Sequence, residues 1–211
     1  MILYRIKKNR FYIAPAVLAL CAAAAIAGAP APWTAMTLDP AQSRVEFTLG
    51  DVLHTVHGTF KVKSGVIRFD PATGEANGEM VVDAASGDSG SGARDRRMHK
   101  NILESKRYPE IVFVPNRVEG QLAAQGTSRL SVHGLFRIHG VEHELTLPFQ
   151  VQNSNGAIVA DTNFVVPYVQ WGMKNPSNFL LRVSDKVNID IHAVGKLTSG
   201  SAGPQISRAT R

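Results

Sequence analysis

Seven histidines and a Gly-Asp-Ser-Gly tetrapeptide are the residues of this 211-residue chain that could take part in metal or nucleophile chemistry. His54-x-x-His57 and His139-x-x-x-His143 have spacings that could bring two metal ligands together on a turn or a helix. His139 and His143, however, flank a turn in an alternating strand pattern, where an i, i+4 spacing has no geometric meaning. No cysteine or acidic cluster completes a ligand set, so no metal is expected. His54 and His57, which fall in a link rather than a strand, are the better pair. Gly87-Asp88-Ser89-Gly90 has the residues of a serine-nucleophile loop, but no partnering histidine motif lies upstream and a Gly/Ser-rich loop produces the tetrapeptide by chance. No catalytic residue is assigned, and the chain is read as a non-enzyme.

The larger candidate set is apolar: Phe47, Phe60, Phe69, Phe113, Phe136, Phe149, Phe164 and Trp171. Two readings stand side by side. The rings fill a core, or some of them line a tunnel for an apolar chain, in which each buried CH₂ contributes about 0.8 kcal/mol. For the polar end of such a ligand, Arg94, Arg97 and His99 are the candidates. The competing role is equally physical, since Arg94 and Asp95 are placed to cap a helix and pair with strand charges.

Short strands must position these residues. Ser43 to Leu49 alternates, with Val45, Phe47 and Leu49 on one face. Gly58–Val62, Gly65–Phe69 and Asn77–Asp83 follow, with Asp70-Pro71-Ala72-Thr73-Gly74 as a turn. Ser86 to Ala93 is expected as a flexible Gly/Ser loop. Ile111–Glu119 precedes a hairpin around His139-Gly140, with Leu130, Val132, Phe136 and Ile138 on one face of its first strand and Leu145, Leu147, Phe149 and Val151 on one face of its second. Ile158–Val166, a short Phe179–Val183 segment and Val187–Leu197 complete eight or nine strands. No βαβ spacing occurs, which argues against a parallel sheet. An antiparallel meander with one apolar face removes its edges by closing, although periodicity does not separate a barrel from a sandwich.

One stretch breaks the β pattern. Arg94-Asp95 opens a helical run with Met98, Ile102 and Leu103 as an apolar stripe, stopped at Arg107-Tyr108-Pro109 because the residue before proline leaves the α region. This helix followed by Arg107-Tyr108-Pro109-x-x-x-Phe113 resembles the signature of the YceI-like proteins, with Met98 and Arg107 as mild departures. Gly58-Thr59-Phe60 and Leu130 to Leu147 resemble further motifs of that family. The resemblance covers about Met36 to Leu197. It implies an all-β fold, an extended antiparallel eight- to nine-stranded lipocalin-like barrel with one short helix. It also implies a long amphiphilic lipid ligand: a polyisoprenoid, a quinone or a fatty-acid derivative. Under it the expected ligand-binding residues are Phe47, Phe60, Phe69, Phe113, Phe136, Phe164, Trp171, Arg94 and His99. The Gly/Ser loop departs from the family's tighter Thr-rich link, and Tyr168 to Ser177 marks one branch of it.

A composition of 44% hydrophobic and 19% charged residues is that of a globular protein. Four of the 23 basic residues (Arg5, Lys7, Lys8 and Arg10) lie in the first ten, and without them the balance against 17 acidic residues is near neutral, so nucleic acid is not an expected partner. These residues, an apolar run and Ala25-Ile26-Ala27 form a signal peptide over 1–27, with an uncleaved anchor as the alternative. The lone cysteine, Cys21, lies inside the run, so cleavage leaves no disulfide. The division expected is leader 1–27, spacer 28–37, barrel 38–198 and disordered tail 199–211, in a periplasmic or secreted protein. Membrane contact is expected only through an uncut leader, and a two-fold homodimer is the prior for such a barrel. Two functions compete with lipid carriage: a hydrolase or isomerase within the barrel, and a stress-related interaction protein with a filled core. No cofactor is expected beyond a bound lipid.

Overall fold

The computed structural model describes residues 33–50, 55–177 and 182–200. The leader, His54, the segment 178–181 and the tail beyond residue 200 lie outside the described residues, and with them the expectations placed there. Among the described residues nine strands follow in order: β1 (Trp33–Leu38), β2 (Arg44–Gly50), β3 (Thr55–Phe69), β4 (Ala76–Asp88), β5 (Glu110–Glu119), β6 (Gly126–Ile138), β7 (Val141–Ser154), β8 (Ala157–Val166) and β9 (Val187–Gly200). Helix α1 (Gly92–Arg97) and a π-helical turn (Met98–Ile102) stand between β4 and β5.

Every pairing is antiparallel. The order β1-β3-β2-β9-β8-β7-β6-β5-β4, with β3 also pairing β4, closes β2 to β9 into an eight-stranded barrel. The ninth strand, β1, is held between the later halves of β3 and β9, as in Met36 opposite both Ile67 and Leu197. The expected all-β barrel with a single short helix is what the chain forms.

Local chemistry explains the hairpins. His139-Gly140 and Asn155-Gly156 are two-residue connections with φ of 53° and 77°, and of 54° and 84°. Two consecutive positive φ values give the turn whose twist matches that of the strands it joins. In the β3–β4 turn, Asp70 Oδ1 accepts the Ala72 N–H at 2.7 Å and Gly74 carries φ 75°.

Several boundaries differ from those expected. Trp33–Thr37, assigned to a spacer, is paired strand, and Ser199 and Gly200, assigned to the tail, pair with Thr34 and Trp33. Gly58–Val62 and Gly65–Phe69 are one strand, because the ladder to β4 absorbs Lys63 in a register shift between Val62 and Ser64. Strand β4 continues to Asp88 through the first three residues of the expected Gly/Ser loop, where Ser86 Oγ accepts the Lys61 N–H at 2.8 Å. Helical structure ends at Ile102 rather than near Arg107, because Glu104 adopts φ 47°, a left-handed conformation that stops the turn.

Strands β7 and β8 pair only from Gln150–Ser154 to Ala157–Asp161. Beyond that point they continue unpaired with each other as Val141–Phe149 and Thr162–Val166. The crossing that follows β8 packs over this split: Trp171 stacks on His143 of β7 with ring centroids 3.9 Å apart and planes at 9°.

Candidate ligand-binding interior

Alternate residues of each strand face into the barrel, and among the described residues the space they leave includes two apolar cavities. The lower one, of about 100 Å³, is lined by residues that include Phe69, Met80, Phe113, Leu130, Phe149 and Ile158. The upper one, of about 130 Å³, lies beneath the helix and is lined by Phe47, Phe60, Phe136, Phe164, Met98 and Leu103 among others. Met98, Ile102 and Leu103 all reach it, as the expected apolar stripe requires. Leu103 shares that face with Met98 because its N–H bonds to Met98 O at 2.9 Å, an i→i+5 closure that a regular α-helix lacks.

The division falls at one level of the wall. On β8, Ala160 lines the lower cavity and Phe164 the upper, with Thr162 between them. On β6, Val132 and Phe136 divide in the same way around Gly134. A Cβ on Gly134 would lie 2.9 Å from Phe113 Cζ and against the Val114 carbonyl oxygen, so the Phe113 ring occupies the space a side chain would take. Above it, Phe136 meets Phe164 edge-on at 5.8 Å, and Phe47 meets Phe60 at 5.4 Å.

Polar groups in this interior are few. Among the described residues Tyr168 is the only one lining the cavities with a hydroxyl, and it donates to Ser184 O at 2.6 Å. Burial pushes its pKa up to about 12, with the Asp185 carboxylate adding to the effect. Thr162 Oγ1 and His143 Nε2 are buried without a partner. Burial also holds the His143 imidazole below the usual histidine range.

Six of the expected ligand-binding residues face the interior, Phe69 and Phe113 below and Phe47, Phe60, Phe136 and Phe164 above. Trp171 lines neither cavity; it packs against Phe136 at 5.9 Å and on His143. Arg94 is exposed and donates from Nε to Ser89 Oγ and from Nη2 to Ser89 O, each at 2.8 Å. Asp95 Oδ1 accepts the Ser89 N–H at 3.0 Å, so the serine of the Gly-Asp-Ser-Gly sequence is held by the helix start. His99 Nε2 lies 2.9 Å from Gly87 O and pins the π-helical turn to β4. Arg97 is exposed. Among the described residues, no three of His, Cys, Asp and Glu converge on a metal site.

Tyr168, Met173 and Pro176 of the crossing also line the upper cavity and were not among the expected residues. Their signal in sequence was the apolar and aromatic content of an otherwise irregular, proline-containing segment. Met36 and Met80 face the lower cavity and Met98 and Met173 the upper, so four of the chain's five methionines line the interior.

The family model of the YceI-like domain matches residues 36–195, spanning the barrel from β1 into β9. The chain belongs to the YceI-like family. It is 36% identical over 84 residues to UPF0312 proteins of Pseudomonas savastanoi pv. phaseolicola and Pseudomonas syringae pv. tomato. That match covers 38% of this chain and 44% of theirs, less than half the length of these curated relatives. BcnA of Burkholderia cenocepacia superposes with a TM-score of 0.62 at 22% identity, over 74% of this chain and 98% of that one. A polyisoprenoid binding domain from Saccharophagus degradans, implicated in plant cell wall breakdown, gives 0.63 at 17% identity, over 77% and 98%. The YCEI protein of Campylobacter jejuni gives 0.56 at 22%, over 68% and 86%. At these identities the shared property is the YceI-like fold.

Proposed function

We propose that the barrel binds the apolar chain of a long amphiphile, a polyisoprenoid, quinone or fatty-acid derivative, and carries or sequesters it without chemical change. The observation that carries this reading is the unfilled space of about 100 and about 130 Å³ walled by apolar side chains. A dry apolar cavity of about 150 Å³ takes up a molecule the size of benzene. Each compartment is somewhat smaller than that, so a group of this size needs its walls to give slightly and a longer chain needs them to give more. The methionines make that feasible, since an unbranched thioether repacks around varied shapes at low cost. A filled core, the premise of the interaction-protein reading, fits these cavities less well. The same-fold domain from Saccharophagus degradans, a polyisoprenoid binding domain, supports the choice of ligand class.

The interior's chemistry supports a non-catalytic reading. The Tyr168 hydroxyl is engaged by Ser184 O, and among the described residues no pair of titratable groups lines the cavities to share proton-transfer work. The basic, apolar and small-residue order of the leader supports export to the periplasm or beyond.

Native mass spectrometry of the protein purified from a bacterial host, with organic extraction of what it holds, tests the proposal. A stoichiometric apolar chain is expected. A protein that is empty and takes up neither added prenyl nor added acyl lipid would establish a filled core.

A further inference from the structure

The end of the barrel that carries the helix combines two surface features that the cargo does not require. Arg94, Arg96, Arg97, Lys100, Lys106 and Arg107 are all exposed along the helix and the turn that follows it. None of the six forms an ion pair among the described residues. The acidic groups nearby are engaged elsewhere: Asp95 holds Ser89, Glu104 faces His139 at 3.7 Å, Glu110 holds Lys63 at 2.6 Å, and Asp88 accepts the Gly90 N–H. Arg107 lies over the Tyr108 ring at 5.1 Å and keeps its charge in solvent. Outside the leader the chain is near neutral, so this is a local concentration of charge rather than a share of a general excess.

The second feature is apolar. Among the described residues, the large hydrophobic side chains left exposed are Val141 at 46% and Val165 at 47%. They stand at the start of β7 and the end of β8, beside Ile138 and Val166 of the upper cavity and so at the same end as the helix. The helix is thus amphipathic in a directed way. Its stripe of Met98, Ile102 and Leu103 roofs the upper cavity while its cations face outward. Cations beside exposed aliphatic groups are the composition of a protein face that rests on anionic lipid, with charge meeting the headgroups and apolar groups entering the boundary.

We propose that the helical end of the barrel docks on a membrane surface containing anionic phospholipids. The sequence confined membrane contact to an uncut leader; this face supplies a contact independent of the leader. Its use in loading or delivering cargo rests on the carrier reading above, whereas the docking itself does not.

The test is sedimentation of the protein with phosphatidylglycerol-containing vesicles and with pure phosphatidylcholine vesicles. The variants are Arg96→Gln/Arg97→Gln/Lys100→Gln and a control, Arg68→Gln/Arg129→Gln/Lys196→Gln, whose three residues are exposed elsewhere on the barrel. Both are made in the same full chain, so any contribution from the leader is common to both. Each cation at an anionic surface strengthens partitioning about fivefold, so the helix variant should bind the anionic vesicles about a hundredfold more weakly. The control should lose little, and added salt should weaken the parent protein's binding. Equal binding to both vesicle types, or an equal loss in the control, overturns the proposal. Binding to a short DNA duplex as tight as to the anionic vesicles would also overturn it, assigning the face to a soluble polyanion. Extracted cargo should be unchanged in the helix variant, so failure of docking and failure of lipid carriage read out separately.

Discussion

Thr162→Val should stabilise the lipid-free protein. The residue is 7% exposed, sits between the two cavities, and buries a hydroxyl oxygen that has no partner. An unpaired buried polar group costs about 1–3 kcal/mol. Valine keeps the β-branch that suits a strand and replaces the hydroxyl with a methyl of similar size. Removing the penalty and adding apolar burial should raise stability by about 1–2 kcal/mol, after allowing for imperfect fit of the new methyl. Equilibrium urea unfolding of delipidated protein at neutral pH reads this as a higher midpoint at unchanged slope. Thr162→Ala separates the contributions, since it removes the methyl along with the hydroxyl and should cancel part of the gain. A loss of 1 kcal/mol or more in Thr162→Val would refute the reasoning, because it would mean that the hydroxyl is satisfied in solution and that the partition is polar and hydrated.

Three further expectations follow from the same geometry. His143 is held neutral by burial, so the unfolded chain takes the proton first; the stability it contributes is present above pH 6.5 and is lost as pH falls toward its lowered folded value. His143→Phe, which preserves a ring beneath Trp171, should remove that part of the acid limb in a series of unfolding midpoints. Tyr168 titrates near 12 instead of 10, so its contribution holds below pH 10 and disappears between 10 and 12. Tyr168→Phe should cost about 1 kcal/mol at neutral pH through the lost bond to Ser184 O, and should show a shallower alkaline decline than the parent. Ala160→Leu projects a larger side chain into the lower cavity, so native mass spectrometry should find shorter or less abundant bound chains; an unchanged bound mass would place the ligand elsewhere.

Alternation made most of the wall legible. Val45 and Phe47, Leu130 to Ile138 and Leu145 to Val151 each follow a period of two, and each set faces the side expected of it. Where the reading stopped short, glycine and serine were the cause. Ser86-Gly87-Asp88 looks like a loop by composition, yet β4 runs on through it, across a register irregularity, to pair Asp88 with Thr59. A Cβ on Gly87 would lie 2.6 Å from both Met98 Cε and Phe60 Cε1, so the glycine is the seat on which the helix and an inward ring close together. Gly58 has the same relation to the Phe47 ring. Small residues in a strand therefore signalled a close approach rather than a turn.

The candidate site was legible in membership more than in arrangement. Periodicity identifies which side chains face inward, but not whether they meet across the axis. That depends on where glycines let rings lie flat against the wall, and those contacts join residues distant in sequence. Gly134 beneath Phe113 helps to divide the interior, and no local pattern around either residue announces it. The roof of the upper cavity is divided in a similar way. The helix supplies Met98 and Leu103, and the crossing after β8 supplies Tyr168 and Met173. The crossing takes that role because β7 and β8 part after Gln150 and Asp161, leaving a split for Trp171 and His143 to cover. Arg94 and His99 were expected on the helix as partners for the polar end of a ligand. Their bonds to Ser89 and Gly87 fasten the helix to the end of β4. The helix buries no residue in α1 itself, so its hold on the barrel rests on these polar ties and on the apolar stripe of the π-helical turn. Displacing this element would break a few polar ties and one apolar stripe, whereas parting the strands would break their ladders.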